Sequence, residues 1–229
     1  MGAEWQYYFT AWFDLTVRSM YPHASIAQGY LSMIDPTDVT HFDRSQEELE
    51  EFLLFCIIVA GKRARMQAPK LENFLSSNSQ HSNKLEPFAI IRRLARAGKL
   101  GEAVREARLG QYGRLTRCFE AVTEMDLKTC GTQDLERISG IGPKTSRYFL
   151  LHSRPGTRVA VLDRHILRWM SERLGVKTPA NTPPAGPAYD RLEADYLRYC
   201  QASNVAPADL DLAIWNKLSE GKETPGIPL

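Results

Sequence analysis

Apolar positions along this chain recur three and four residues apart far more often than they alternate, which is the period of helices rather than strands. Trp5, Tyr8, Phe9, Trp12, Phe13, Val17 and Met20 form one broad stripe, predicting an N-terminal helix with an aromatic core face that ends at Tyr21-Pro22. Positions 22–45 read as short helical or irregular pieces, with a turn at Asp35-Pro36. Ser45 followed by Glu48 has the form of a capping box. The helix it opens, 46–60, is apolar nearly all round through Leu49, Phe52, Leu53, Cys56, Ile57 and Val59. A helix without a polar face has to be surrounded, so this one is expected to be central. Further helical patterns cover 70–75, 87–97, 102–109, 115–125 and 189–201, and a last one begins at Pro207 with Leu210, Leu212, Ile214, Trp215 and Leu218. Polar or Pro-rich loops separate them at 76–83 and 177–188. The fold class expected is all-α.

The most informative stretch is 135–170. Leu135 and Ile138 close a short helix, and Ser139-Gly140-Ile141-Gly142 is a tight turn whose glycines permit backbone angles that side chains forbid. Pro143 suits the first position of a second helix, which carries Tyr148, Phe149 and Leu150 and stops at Arg154-Pro155-Gly156. Helix, turn and helix over 135–152 form a hairpin. The amides of Gly140, Ile141 and Gly142, together with the start of the second helix, make a small positive cradle suited to a phosphate oxygen. Lys144 and Thr145 lie in the first turn beside it. Val159-Ala160-Val161-Leu162 is a short apolar run that must be buried, and Asp163 follows it at the start of another helix through Ile166, Leu167, Trp169 and Met170. Taken singly, each signal has an ordinary explanation: Asp is a favoured helix N-cap, and a lysine in such a hairpin can simply touch phosphate.

Taken together, these residues resemble the helix-hairpin-helix DNA glycosylase superfamily, of the endonuclease III and 8-oxoguanine glycosylase type. The resemblance is carried by Ile138-Ser139-Gly140-Ile141-Gly142-Pro143-Lys144-Thr145-Ser146, then by Leu162-Asp163-Arg164-His165-Ile166, at the family's spacing. A second, weaker family pattern is Gly110-Gln111-Tyr112-Gly113-Arg114, followed by a helix. The resemblance implies two helical lobes with the active cleft between them: 46–150 as a contiguous lobe, and 1–45 with 163–229 as the other. It implies base flipping, base excision, and strand nicking by β-elimination through a lysine Schiff base, with Lys144 as nucleophile and Asp163 as catalytic carboxylate. An ammonium cannot attack, so Lys144 must shed its proton before the bond forms.

The resemblance further places Gly140, Ile141, Gly142 and Thr145 on the DNA. The family's wedge position reads Ala60-Gly61-Lys62-Arg63 here, with no Gln or Asn, so Lys62 and Arg63 are the candidates for DNA contact there. Tyr148, one turn after Lys144, is the first candidate for the base pocket, followed by Asp211 and Trp215 on the last helix. His152 and His165 read as structural histidines. Two other functions use the same residues: a non-catalytic DNA-binding hairpin module, and the same fold acting on hypermodified bases.

Composition narrows these options only slightly. A hydrophobic fraction of 43% supplies a real core, and a net charge of +2 is too small to point to nucleic acid without a particular arrangement. Cys56, Cys118, Cys130 and Cys200 lack metal-ligand spacing, so no zinc is expected and the thiols read as reduced and cytosolic. Relatives that carry an iron–sulfur cluster use four cysteines near the C-terminus. Only Cys200 lies in that region, so no cluster and no other cofactor is expected. The longest apolar run, 52–60, is too short to cross a membrane, and the N-terminus, with Glu4 and Asp14, lacks a signal-peptide pattern. The expected partner is double-stranded DNA, with no membrane association, and the protein is expected to be a cytoplasmic monomer.

Overall fold

A computed structural model describes residues 34–79, 86–222, 224–227 and 229. The N-terminal stripe predicted over 5–20 lies outside the described residues, as does most of the N-terminal share of the second lobe; of the described part, Val39 packs into the core around α1. Among the described residues all regular structure is α-helical. The elements are α1 (Gln46–Ile58), α2 (Ala64–Ser77), α3 (Pro87–Arg96), α4 (Leu100–Glu106), α5 (Tyr112–Val122), α6 (Thr132–Glu136), α7 (Pro143–Ser153), α8 (Arg164–Leu174), α9 (Pro187–Ala202) and α10 (Pro207–Glu220).

The capping box at the start of α1 is present in both halves. Ser45 Oγ accepts from the Glu48 amide at 3.3 Å, and Glu48 Oε2 accepts from the Ser45 amide at 2.7 Å. From Leu49 to Ile58 every residue of α1 is buried. The helix is enclosed by α2, α3, α5 and α7, as its lack of a polar face demands. Even its carboxylates are used: Glu50 Oε2 accepts from the Phe88 amide at 3.0 Å and so caps the start of α3. Phe52 sits at the centre. Its ring lies 5.9 Å from those of both Tyr148 and Phe149 on α7, and the Arg44 guanidinium stacks on it at 3.9 Å.

The core has two large clusters. One runs from Val39 through α1–α7 to Leu150, and the other joins α8, α9 and α10 through Ile166, Leu167, Met170, Tyr189, Tyr196, Leu210 and Ile214. A small third cluster of Leu151, Val161 and Ala208 packs α7, the segment before α8, and α10 together.

Some boundaries differ from the sequence pattern. The polar stretch 76–83 is helical at its start, because α2 runs on through Ser77. Ser76 and Ser77 bond back to Asn73, and Asn78 Nδ2 donates to the Phe74 carbonyl at 2.8 Å, so polar side chains satisfy the last turn while Phe74 and Leu75 are buried. α5 starts three residues earlier than its apolar spacing suggests, because Gln111 adopts a left-handed conformation (φ 47°) that turns the chain directly into the helix.

Phe52→Ala should remove the contact on which α1 and α7 meet. We expect a loss of about 3–5 kcal/mol of stability, read from the urea midpoint at unchanged slope.

Candidate active site

Asp163 is the N-cap of α8. Its Oδ1 accepts from the amides of His165 at 2.8 Å and Ile166 at 3.0 Å. That leaves Oδ2, which lies 3.7 Å from Lys144 Nζ in the first turn of α7. The carboxylate is therefore divided in function, one oxygen holding the helix start and the other facing the amine. The helix N-terminus favours its negative charge. Lys144 keeps about a third of its side chain exposed, whereas Asp163 is mostly covered. The amine is thus reachable from outside and its partner is sheltered.

The hairpin positions Lys144. α6 ends near Arg137, and the chain turns through Gly140 at φ 104°, an angle that suits glycine. A Cβ there would stand 3.0 Å from Arg114 Cγ. Arg114 packs this closely because it staples three elements: Nη1 donates to the Gly140 carbonyl at 2.7 Å, Nη2 to the Ile57 carbonyl at 2.9 Å, and Nε to Gln111 Oε1 at 2.6 Å. The second sequence pattern therefore serves the first by locking the hairpin turn to the end of central helix α1. That role of Arg114 was not drawn from the sequence, although its fixed place behind Gly110 and Tyr112 was the available signal.

The predicted DNA-contact residues divide. Gly142 is exposed, has open space around its Cα, and caps α7 with no side chain, so no side chain takes up the amides at this helix start. Ile141 does not fit that role, because it is buried and its amide donates to the Ile138 carbonyl at 3.0 Å. Thr145 is also buried, as the inner face of α7 requires. Lys62 is half-buried, with its ammonium donating to the Leu109 carbonyl, and burial lowers its pKa, with Arg114 adding to the effect. It acts as a strut between two turns, while its neighbour Arg63 is exposed.

Below Lys144 lies a buried polar group. His152, fully buried, faces Asp211 Oδ2 on α10 through Nε2 at 3.1 Å and Thr40 Oγ1 through Nδ1 at 2.8 Å. Which ring nitrogen donates follows the tautomer; a proton on Nε2 would face Asp211 and leave Nδ1 to accept from the Thr40 hydroxyl. Asp211 Oδ1 is buried with no hydrogen-bond partner among the described residues. Burial raises the Asp211 pKa against the opposing pull of His152, and the charges of Asp163 and Lys144 also act on it. Tyr148 lies edge-on to His152 at 5.1 Å, and burial pushes its hydroxyl pKa up, with Asp211 and Asp163 adding. Lys144, Asp163, Tyr148 and Asp211 thus share one small region. Trp215, one turn after Asp211, is half-buried. The Thr40 partner of His152 carried no signal in the sequence.

A curated relative, the 8-oxoguanine DNA glycosylase/AP lyase of Thermoplasma volcanium, is 28% identical over 195 residues, covering 82% of this chain and 90% of the relative. Among solved structures, the Methanocaldococcus jannaschii 8-oxoguanine glycosylase/lyase in complex with DNA containing 8-oxoguanine superposes with a TM-score of 0.59 at 20% identity. The match covers 80% of this chain and 85% of that one. The Thermotoga maritima 8-oxoguanine DNA glycosylase gives 0.56 at 21% identity over 79% and 83%. No family model matches the chain. The chain shares the all-α fold of these two solved structures.

No group of three or more His, Cys, Asp or Glu among the described residues could hold a metal ion. The four cysteines are free and buried. Burial pushes the Cys118 and Cys200 thiols from an ordinary 9.0 up to about 11. No described helix is long and apolar enough to cross a membrane.

Two predictions follow from the geometry. Asp163→Ala deletes an N-cap and should cost about 1 kcal/mol, whereas Asp163→Asn retains the cap and should match the parent within a few tenths, as read from urea midpoints. The thiols are neutral in the folded chain but ionise at lower pH when unfolded. Their contribution to stability is therefore complete below pH 9 and disappears as pH rises towards about 11, so the urea midpoint should fall across that window.

Proposed function

We propose that the protein is a DNA glycosylase with abasic-site lyase activity that removes 8-oxoguanine from double-stranded DNA, acting as a cytoplasmic monomer. The observation that carries this reading is the approach of Lys144 Nζ to Asp163 Oδ2 at 3.7 Å, with the other carboxylate oxygen fixed as a helix cap. A phosphate-binding lysine needs no half-buried carboxylate beside it, and a helix cap needs no amine. The near full-length likeness to a glycosylase/lyase supports the same reading.

In this mechanism the helices of 46–150 form one lobe and those after Asp163 belong to the other, with the target nucleotide rotated out of the stack between them. The start of α7 at Gly142 holds a phosphate, and Arg63 approaches the duplex. Lys144 gives up a proton, for which Asp163 Oδ2 is the nearest acceptor, and the neutral amine attacks C1′ of the sugar. The C1′–N9 bond breaks, its electron pair leaves with the base, and the proton held on Asp163 passes to the departing base. The Asp163 carboxylate so restored stabilises the positive charge that develops on the sugar. Ring opening gives a Schiff base between Nζ and C1′. Loss of a C2′ proton then expels the 3′ phosphate and nicks the strand.

The pocket for the base is assigned to Tyr148, Asp211 and Trp215. The unpartnered Asp211 Oδ1 is a buried acceptor and would take an N–H from the base. 8-Oxoguanine carries an N–H at N7, where guanine has only a lone pair.

The test is borohydride trapping on duplexes carrying 8-oxoguanine, an abasic site, or normal bases. The parent chain should give a covalent adduct with the first two, and Lys144→Gln should give none. Base release without trapping would make Lys144 a phosphate contact in a monofunctional enzyme. Binding without release from any duplex would leave a DNA-binding module or an enzyme for hypermodified bases.

A further inference from the structure

Asp163 reaches Lys144 through a segment that has neither helix nor sheet partner, so the backbone groups of 160–162 must be satisfied some other way. Ala160, Val161 and Leu162 are buried, which makes unpaired amides or carbonyls there costly. Side chains supply nearly all the partners. Glu193 Oε1 on α9 accepts from the Ala160 amide at 2.8 Å. The Tyr189 hydroxyl, one turn earlier on α9, donates to the Ala160 carbonyl at 2.7 Å and accepts from the Leu162 amide at 3.2 Å. Thr182 Oγ1 donates to the Leu162 carbonyl at 2.7 Å, and the Asp163 amide turns back to the Val161 carbonyl at 2.6 Å.

The same two α9 side chains are held by the helix that carries Lys144. Arg147, three residues after Lys144 on α7, donates from Nε to Glu193 Oε1 at 2.9 Å and lays its guanidinium over the Tyr189 ring at 4.2 Å. Its Nη1 donates to Glu136 Oε1 at 2.7 Å, and that oxygen also accepts from Ser146 Oγ at 2.6 Å. Arg147 is buried, so its planar fork is locked on three sides. A continuous chain of contacts therefore runs from the hairpin, through Arg147, to the backbone immediately before Asp163.

We propose that Arg147, Glu193 and Tyr189 act as a positioning clamp that sets Asp163 against Lys144. None of the three touches the reacting atoms. They fix the register between two segments that no sheet or helix pairing holds. The inference rests on the assignment of Lys144 and Asp163 as the reacting pair. The phosphate cradle at Gly142 lies outside the clamp, so loosening the clamp should reduce chemistry without weakening DNA binding.

The test uses Tyr189→Phe, which removes both backbone bonds but keeps the ring under Arg147, and Glu193→Gln, which keeps an acceptor for Ala160 but loses the charge facing Arg147. Arg198→Ala, on the exposed side of α9 where Arg198 pairs with Asp195, is the control expected to match the parent. Each is assayed well below its melting temperature for single-turnover excision and trapping on an 8-oxoguanine duplex, and separately for affinity to the same duplex. Tyr189→Phe and Glu193→Gln should lose about 10- to 100-fold in single-turnover rate, the range for groups that orient reacting side chains, with affinity held within about twofold.

A parental rate in folded Tyr189→Phe and Glu193→Gln would overturn the clamp. So would a rate loss matched by an equal loss of affinity. Lys144→Gln is run alongside: if it still excises and traps, the assignment of the reacting pair fails and the clamp with it. If Lys144→Gln is inactive while Tyr189→Phe is unimpaired, only the clamp fails.

Discussion

A carboxylate that caps a helix has little freedom to move, and Asp163 is such a carboxylate. Two backbone amides hold its Oδ1, so the direction of Oδ2 is set by the axis of α8 rather than by side-chain torsions. The rest of the candidate site depends on that constraint. Lys144 has a flexible stem, but it starts from the first turn of α7, and α7 is fixed by its packing on α1. The distance between amine and carboxylate is thus a distance between two helix starts. Rigid elements hold such distances better than loops do.

Central helix α1 supplies the reference frame. It is buried along almost its whole length, and the hairpin is tied to it twice. Phe52 packs on Tyr148 and Phe149, and Arg114 joins the carbonyl at the end of α1 to the carbonyl of the hairpin turn. Buried carbonyls at a helix end need partners, and a guanidinium with five donors can serve several at once. Arg154 does the same for the far end of α7, donating to the carbonyls of Cys130 and Leu127. Both arginines thus act as struts. Arg92 and Arg93 likewise donate to carbonyls, of Thr123 and Asn78.

Polar groups around the pair fall into two kinds. Those above the core are fully engaged: His152 has partners at both ring nitrogens, and Arg147 sits between two carboxylates. Asp211 is the exception, with one oxygen satisfied and the other buried without a partner. An unmatched buried acceptor costs stability, and a substrate donor can recover that cost on binding.

Local chemistry made the helices, the capping box, the Gly140–Gly142 turn and the pairing of Lys144 with Asp163 legible in the sequence, because each depends on residues a few positions apart or on a known spacing. The all-α class followed from periodicity in the same way. The sequence also pointed to Ile141, Thr145 and Lys62 as DNA contacts, but only tertiary packing decides which polar groups are already used. Ile141 and Lys62 give their donors to carbonyls, and Thr145 is packed inside. Gly140 and Ile57 for Arg114, Glu136 and Glu193 for Arg147, and Thr40 and Asp211 for His152 lie between 11 and 112 positions away along the chain, and no periodicity encodes such distances. Residue types determined what each segment could do alone, and the fold determined which of those capacities remained free for a substrate.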